Sequence, residues 1–166
     1  MIEFLYQNGV INGKEEKVFA PSDNVTREEF AKMAALAFDI KSESVSVGFS
    51  DVAEDAWYAE YVNALASLGI INGRGDGTFG TGDYITREEI AVMIDRVLTL
   101  KGASLSEKEL NSADKDSVSA YAKAAVGKMC ATGIINGFDD GTIRPQENAQ
   151  RAQTAQLIYK AVMLLM

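Results

Sequence analysis

The strongest constraint on the fold of this chain is a pentapeptide that occurs three times. It reads GVING at residues 9–13 and GIING at residues 69–73 and 133–137, so the copies are spaced 60 and 64 residues apart. When each copy is extended to 26 positions, the first and second share 12 identities, and the second and third share 11. A fixed period of this kind is typical of units that bury their apolar faces against one another. The sequence therefore predicts three copies of one unit.

Each unit is predicted to be a helix, a turn-rich loop and a second helix. The glycine that opens each pentapeptide is suited to the position that ends a helix. The second helix starts at TREE, residues 26–29 and 86–89, where Thr followed three residues later by Glu forms a capping box. In the third copy Gln150 replaces the Thr, so Asn148 is predicted to cap the helix instead. We predict an all-α fold of three helix-loop-helix repeats, packed with pseudo-threefold symmetry around a shared helical core.

The repeats divide the chain at 1–45, 46–106 and 107–166, and together they are predicted to form one compact domain. Met1 aligns with Tyr61, so the first repeat is expected to lack the beginning of its first helix. The segments between repeats, 41–47 and 101–111, are rich in Ser, Glu and Lys and are predicted to be exposed connectors.

The ends and the hydropathy of the chain bear on its location. No basic segment followed by an apolar stretch opens the sequence, so no secretory signal peptide is visible in it. No run approaches the roughly 20 apolar residues that span a bilayer, so membrane insertion is not predicted.

Composition excludes several kinds of chemistry. The chain has no His and one Cys, Cys130. Histidine-dependent nucleophilic catalysis, histidine zinc sites and thiolate metal cages are therefore excluded. Cys130 is predicted to be a small buried apolar residue. The net charge of −8 argues against a nucleic-acid partner. We expect no catalysis, no cofactor and no metal.

Arginine occupies the helix start in all three copies, as Arg27, Arg87 and Arg151. A cation is mildly unfavourable there, but unpaired helix N–H groups attract anions, and a guanidinium adds bidentate recognition of a carboxylate. One interpretation is a pocket for a carboxylate-bearing sugar in each repeat. The alternative is an inter-repeat salt bridge to an acid such as Glu88 or Asp55. The first interpretation predicts that Arg87→Ala weakens binding and leaves the thermal midpoint nearly unchanged.

Two aromatic residues and three acids are further candidates. Trp57 and Tyr121 occupy matching positions and either stack on the C–H faces of a sugar or belong to the core. Asp51, Asp55 and Asp114 either accept hydrogen bonds from sugar hydroxyls or cap the following helix.

The glycines that close the pentapeptides are Gly13, Gly73 and Gly137. They would let a ligand approach the backbone closely. Turn geometry alone is a sufficient alternative explanation for them.

These motifs together resemble the S-layer homology family. The second repeat carries FSDV at 49–52, Trp57, GIING at 69–73, DGTF at 76–79 and TREE at 86–89. The third repeat carries Asp114, Tyr121, GIING at 133–137, DGT at 140–142 and Arg151. It lacks the first Phe, the Thr and both helix-start acids, and the first repeat lacks its FxDV segment and its aromatic residue.

The resemblance implies a pseudo-threefold, all-helical unit that anchors a protein at the bacterial cell surface, outside the cell. Such a unit holds a secondary cell-wall polysaccharide non-covalently, often one that bears pyruvate ketals. Grooves between neighbouring repeats would combine the Arg of one with the aromatic of another, and one of the three would lack its stacking wall. Alternatives are self-association in a surface layer, binding of a peptidoglycan-linked glycan beneath an outer membrane, and a glycosidase with an acid pair.

Overall fold

The computed structural model describes residues 1–13, 18–41 and 47–166. Within these ranges the regular structure is entirely helical, which confirms the predicted all-α class. The elements are α1 (Ile2–Gln7), α2 (Arg27–Ala37), α3 (Ala59–Ser67), α4 (Arg87–Leu100), a short 3-10 helix (Lys115–Ser117), α5 (Lys123–Ala131) and α6 (Arg151–Leu164). Each repeat thus contributes one helix pair, α1 with α2, α3 with α4, and α5 with α6.

The predicted capping boxes start α2 and α4. In α2 the Thr26 hydroxyl accepts the Glu29 N–H at 3.3 Å, and the Glu29 carboxylate accepts the Thr26 N–H at 3.1 Å. Thr86 and Glu89 make the same pair of bonds at the start of α4.

The third copy follows the same plan with different residues. Gln150, not Asn148, is the N-cap of α6, and its N–H donates to Gln153 Oε1 at 3.3 Å. The prediction of Asn148 was wrong because contacts between repeats, described next, fix the extended backbone at this position in every copy.

A closed ring of backbone hydrogen bonds joins the three repeats. Val25 N–H donates to Ala149 O at 3.0 Å, Ala149 N–H to Ile85 O at 2.9 Å, and Ile85 N–H to Val25 O at 3.0 Å. All three residues are fully buried, and each immediately precedes the N-cap of a second helix. Each of the three residues donates to one neighbouring repeat and accepts from the other, so all three repeats are required to pair these buried backbone groups. This cyclic pattern supports the pseudo-threefold arrangement.

The helices pack in the same cyclic order. The first helix of each repeat lies against the second helix of the preceding one, as α3 on α2, α5 on α4 and α1 on α6, and α6 also contacts α2 and α4. The buried apolar residues of all three repeats form one continuous core, which includes Leu5, Phe30, Leu65, Ile94, Met129 and Ile158. The core is therefore shared between the repeats.

The second connector, residues 101–111, is exposed over most of its length, as predicted, but not at every residue. Ala103, Leu105 and Leu110 of the second connector pack against the core, so this segment is partly buried. In the first connector, residues 42–46, with the boundary at residue 45, lie outside the described residues. The predicted helix-ending glycine is confirmed at Gly69, which follows α3 with a φ of 69°. None of the described helices combines the length and apolarity needed to cross a bilayer.

Candidate functional site

Three grooves lie at equivalent places between the repeats. Groove A, of 340 Å³, is lined by Val10, Ile11, Asn12, Gly13, Glu29, Lys32, Met33, Trp57 and Arg151. Groove B, of 310 Å³, is lined by Arg27, Asn72, Gly73, Arg74, Glu89, Val92, Met93, Arg96 and Tyr121. Groove C, of 270 Å³, is lined by Arg87, Ile134, Asn136, Gly137, Phe138, Gln153, Gln156, Leu157 and Lys160.

Each groove combines residues from different repeats. In groove B the helix-start arginine, Arg27, comes from the first repeat, the Asn-Gly turn from the second and Tyr121 from the third. Groove A has the equivalent arrangement: Arg151 comes from the third repeat, Gly13 from the first and Trp57 from the second. Trp57 and Arg87 therefore line different grooves although they belong to one repeat. Among the described residues that line groove C, no aromatic side chain stands at the position of Trp57 and Tyr121.

The three arginines hold neighbouring repeats together. The Nε of each donates a 2.9 Å bond to a carbonyl of the next repeat, which is that of Phe79 for Arg27, Ile143 for Arg87 and Phe19 for Arg151. All three side chains are buried. Arg87→Ala would break a buried contact between repeats, so the structure leads us to expect a lower thermal midpoint for this variant rather than an unchanged one.

Most of the first N–H groups of the three second helices are already paired. The backbone N–H of Arg27, Arg87 and Arg151 donates to a carbonyl of the next repeat, at 2.9, 3.1 and 2.9 Å. Glu88 N–H donates to Pro145 O and Ala152 N–H to Pro21 O, at 2.8 and 3.0 Å. The N–H groups at these helix starts are therefore engaged by the neighbouring repeat, and the arginine side chains are the groups at this point that can meet an anion.

The arginine side chains differ in their second partner. Arg27 Nη1 forms an ion pair with Glu89 Oε1 at 2.5 Å, so the salt-bridge interpretation holds here with Glu89, and not with Glu88 or Asp55. Arg87 Nη1 meets the neutral Gln153 Oε1 at 3.3 Å. Arg151 Nη2 donates to the backbone carbonyl of Asn12 in groove A at 2.8 Å.

Trp57 and Tyr121 are exposed on the groove walls and do not belong to the core, with exposed fractions of 55% and 62%. Trp57 packs edge-on against Tyr58, with ring centroids 5.2 Å apart, and Lys32 Nζ lies 5.5 Å from the Trp57 centroid.

Tyr121 is held by a buried carboxylate. Its hydroxyl donates to Glu88 Oε1 at 3.3 Å, and Glu88 also accepts the N–H and the hydroxyl of Ser119, at 3.0 and 2.6 Å. Burial, together with the charges of Glu88 and Glu89, raises the pKa of Tyr121 to about 12. The phenol therefore stays neutral and keeps its proton for Glu88 at physiological pH.

Sequence reasoning missed several groove cations. Arg96 Nη1 donates to Ile70 O at 2.9 Å, and Lys160 Nζ donates to Gly133 O at 2.7 Å. The sequence did contain a signal for two of them, because Arg96 and Lys160 occupy equivalent positions of their repeats, 64 residues apart. In the structure each bonds to the pentapeptide of its own repeat. Lys32 and Arg74 had no such repeat signal.

All three grooves are cationic on an acidic chain. The charged lining residues are Lys32, Arg151 and Glu29 in groove A; Arg27, Arg74, Arg96 and Glu89 in groove B; and Arg87 and Lys160 in groove C. Among the described lining residues, cations thus outnumber carboxylates in each groove, while the chain carries a net charge of −8. A concave surface lined by one sign of charge focuses its field on a ligand of the opposite sign.

Asp51 organises a loop and lines none of the three grooves. Its carboxylate accepts the N–H groups of Phe79, Gly80 and Thr81, at 2.7, 2.7 and 2.8 Å. Burial by itself raises the pKa of Asp51, but these donors outweigh burial and hold the pKa below its ordinary value of 3.8.

Asp51→Ala is expected to cost about 2 kcal/mol of stability at neutral pH, because it removes the acceptor of three backbone donors. Since the pKa is lowered in the folded state, the stabilisation is present above 3.8 and is lost as pH falls through the folded value. The difference in thermal midpoint between wild type and variant should therefore shrink in acid. Asp55→Ala, at an exposed position, is the control and should change little at any pH. A difference that does not depend on pH would contradict this account.

The other two acids also lie away from the grooves. Asp114 repeats the role of Asp51, accepting the N–H groups of Ile143 and Arg144 at 3.0 and 2.7 Å. Asp55 is exposed and lines none of the three grooves. The three acids predicted to accept hydrogen bonds from sugar hydroxyls therefore lie outside the grooves that the arginines line.

The glycines Gly13, Gly73 and Gly137 line grooves A, B and C. Gly73 has a φ of 68°, and a Cβ there would collide with the Thr78 carbonyl oxygen of its own loop. A Cβ at Gly137 would lie 2.9 Å from Thr142 O. The turn itself therefore requires glycine at residues 73 and 137, whether or not a ligand approaches.

Cys130 is partly buried against the core, and burial raises the pKa of its thiol. Its environment is that of an apolar packing residue. In the described part of the chain no three His, Cys, Asp or Glu residues are grouped so that they could hold a metal ion.

Comparison with known proteins places this geometry in context. The family model described as the S-layer homology domain matches residues 2–31, 48–91 and 113–155, one segment in each repeat. The chain is 33% identical over 162 residues to an amylopullulanase of Thermoanaerobacterium thermosulfurigenes, a match that covers 96% of this chain and 9% of the relative. It is 31% identical over 159 residues to an endoglucanase of a Bacillus species, covering 95% and 17%. It is 28% identical over 156 residues to a cellulosome-anchoring protein of Acetivibrio thermocellus, covering 92% and 35%. The chain thus spans only a small part of these relatives.

Proposed function

Because this chain belongs to the S-layer homology domain family, we propose that it anchors a protein non-covalently to the bacterial cell wall, on the outside of the cell. Its ligand is an acidic secondary cell-wall polysaccharide. The observation that carries this proposal is the set of three inter-repeat grooves, each with more cations than carboxylates on a chain of charge −8.

The grooves suit an acidic glycan better than a small free anion. Trp57 in groove A and Tyr121 in groove B are exposed aromatic rings beside cationic side chains. Aromatic rings stack on the apolar C–H faces of sugars, and guanidinium groups bind carboxylates. A sugar that carries a pyruvate ketal presents both features within one residue, so we propose a pyruvylated polysaccharide as the ligand.

The relatives favour an anchoring module that is not itself catalytic. Two of them are named for different enzymes and one for anchoring, yet all share this region, which is a small part of each. A shared region is a poor candidate for chemistry that differs between the proteins. We therefore assign no catalytic residue, and groove residues such as Arg151 and Trp57 act in binding alone.

The test is calorimetric titration with purified wall polysaccharide, before and after chemical removal of its pyruvate. We expect saturable binding to the intact polymer and a loss of at least about tenfold in affinity after removal, equivalent to about 1.4 kcal/mol. Sedimentation with cell-wall sacculi, with and without the polysaccharide, is the companion experiment. Equal sedimentation with stripped sacculi would overturn the proposal and would favour peptidoglycan binding or self-association.

Trp57→Ala is expected to weaken polysaccharide binding in groove A. The loss of a stacking platform is worth about 1–1.5 kcal/mol, at the low end of aromatic stacking on nucleic-acid bases, and corresponds to about tenfold in affinity. Tyr121→Ala is expected to have a similar effect on groove B. Tyr6→Ala is the control, because Tyr6 is 63% exposed and lines none of the three grooves. An equal loss in the Tyr6 variant would contradict a role for the groove aromatics.

A further inference from the structure

One position in the second helix distinguishes the three grooves by charge. The third residue of that helix is Glu29 in groove A, Glu89 in groove B and Gln153 in groove C. In groove B, Glu89 Oε1 lies 2.5 Å from Arg27 and 3.9 Å from Arg74. Arg27 and Arg74 of groove B therefore already face an internal carboxylate, whereas Arg96 donates to the Ile70 carbonyl.

Groove C has the same arginine without that carboxylate. Arg87 is 5% exposed, its Nε donates to Ile143 O, and its Nη1 meets the neutral amide oxygen of Gln153. Its second terminal nitrogen, Nη2, has no hydrogen bond within the described part of the chain. Burial lowers the pKa of Arg87 and outweighs the opposing attraction of Glu147, because a buried charge is costly when it has no ion-pair partner in direct contact.

Glu147 attracts the charge of Arg87 through space, but among the described residues no carboxylate forms an ion pair with Arg87. Glu147 lies 3.8 Å from Arg144, which also pairs with Asp140 at 2.9 Å. No carboxylate is among the described residues that line the groove, whereas Lys160 adds a second cation. Lys160 Nζ donates to Gly133 O at 2.7 Å and to Ile134 O at 3.5 Å, which leaves one of its three N–H groups for a ligand.

We propose that groove C is the principal anion subsite of the domain, that it holds an anionic group on a sugar through Arg87 and Lys160, and that Gln153 sets this selectivity. The inference rests on the proposed function, since it takes the ligand to be an acidic glycan. In groove B the Glu89 carboxylate repels an incoming anion, so that groove binds its ligand mainly through Tyr121 and hydrogen bonds. The domain thus recognises the negative charge of the ligand in groove C, and it recognises the faces of the sugar rings by stacking in grooves A and B.

Exchange of the two side chains tests the inference. Gln153→Glu places a carboxylate beside Arg87, and the fold accepts it because Glu29 and Glu89 occupy the same position in the other repeats. We expect a higher thermal midpoint without ligand and anion binding in groove C weakened about tenfold or more. Glu89→Gln is the matched variant, with the opposite expectation of a lower midpoint and stronger anion binding in groove B.

The probes are glucuronate, glucose 6-phosphate and uncharged glucose, titrated into the 15N-labelled chain at constant ionic strength. We expect saturable shifts of the Arg87 Nε and Gly137 amide signals with an anionic sugar and none with glucose. The two anionic probes distinguish a carboxylate ligand from a phosphate ligand. Lys160→Gln provides a second, independent variant, and it is expected to weaken the same response.

Two results would overturn the inference: equal shifts with glucose, or an anion response in groove C that neither Gln153→Glu nor Lys160→Gln weakens. Failure of the two proposals is distinguishable. If the wall polysaccharide binds but the Arg87 and Gly137 signals do not respond, the subsite is wrong and anchoring stands. If glucuronate binds in groove C but the polysaccharide does not bind at all, anchoring is wrong and the subsite stands.

Discussion

A fragment that ends at Lys101, and so lacks the third repeat, is expected to lose cooperative folding. Removal of Ala149 opens the backbone ring, which leaves Val25 N–H without its acceptor and Ile85 O without its donor. Each such buried group costs about 1–3 kcal/mol. That loss alone is a large fraction of the stability of a small domain, which is about 5–15 kcal/mol.

The lost packing adds to this effect. Helix α5 lies on α4, and α6 contacts α1, α2 and α4, so the truncation uncovers an apolar face on each remaining second helix. Because the core is continuous across the repeats, neither remaining pair can bury its own face. The fragment is expected to aggregate or to melt without a sharp transition.

Circular dichroism melting and size-exclusion chromatography of the fragment and the full chain provide the measurement. Addition of residues 102–166 as a separate peptide is the control, since it restores the missing surface without the covalent link. A soluble monomeric fragment with a cooperative transition of its own would show that the core is not shared.

The second large effect is expected at Arg27. Arg27→Ala removes the ion pair with Glu89, which is 16% exposed, and the Nε bond to Phe79 O. Loss of one partner from a buried pair leaves the other charge uncompensated, so we expect a loss of about 3 kcal/mol in the free energy of unfolding. The measurement is urea denaturation at neutral pH.

Two variants control for this interpretation. Arg74→Ala breaks the 2.6 Å ion pair with Asp83, in which both side chains are well exposed, and only a long 3.9 Å contact with Glu89, so it is expected to cost at most about 1 kcal/mol. Arg27→Met combined with Glu89→Gln removes both charges, keeps a capping-box acceptor as Gln153 does in the third repeat, and should recover part of the loss. A double variant as unstable as the sum of the single ones would show that the pair itself is not the source of the effect.

The three arginines therefore have two roles in this domain. Each lines a groove where a ligand is proposed to bind, and each bonds to a backbone carbonyl of the next repeat. Measurements of binding in arginine variants thus need a parallel measurement of stability. The charge exchange at Glu89 and Gln153 separates the two roles, because it alters the partner and keeps the arginine.

Local sequence determined the helices and their ends. The Thr26 and Thr86 capping boxes and the helix-ending Gly69 could be predicted because each depends on residues within a few positions of itself. The equivalence of Arg27, Arg87 and Arg151 was likewise visible, since it needs only the alignment of the repeats.

Tertiary structure alone decided which residues meet. The Nε bonds of the arginines reach carbonyls 52, 56 and 132 residues away, and the repeats are too alike for their sequences to specify which copy faces which. For the same reason the sequence could not predict that Arg151 and Trp57 line one groove, that Asp51 contacts a loop, or that all three guanidinium groups are buried. The sequence thus identified the arginines, the aromatic residues and the glycines of the grooves but not their other cations. The cyclic closure of three nearly equivalent units decided how those residues are combined.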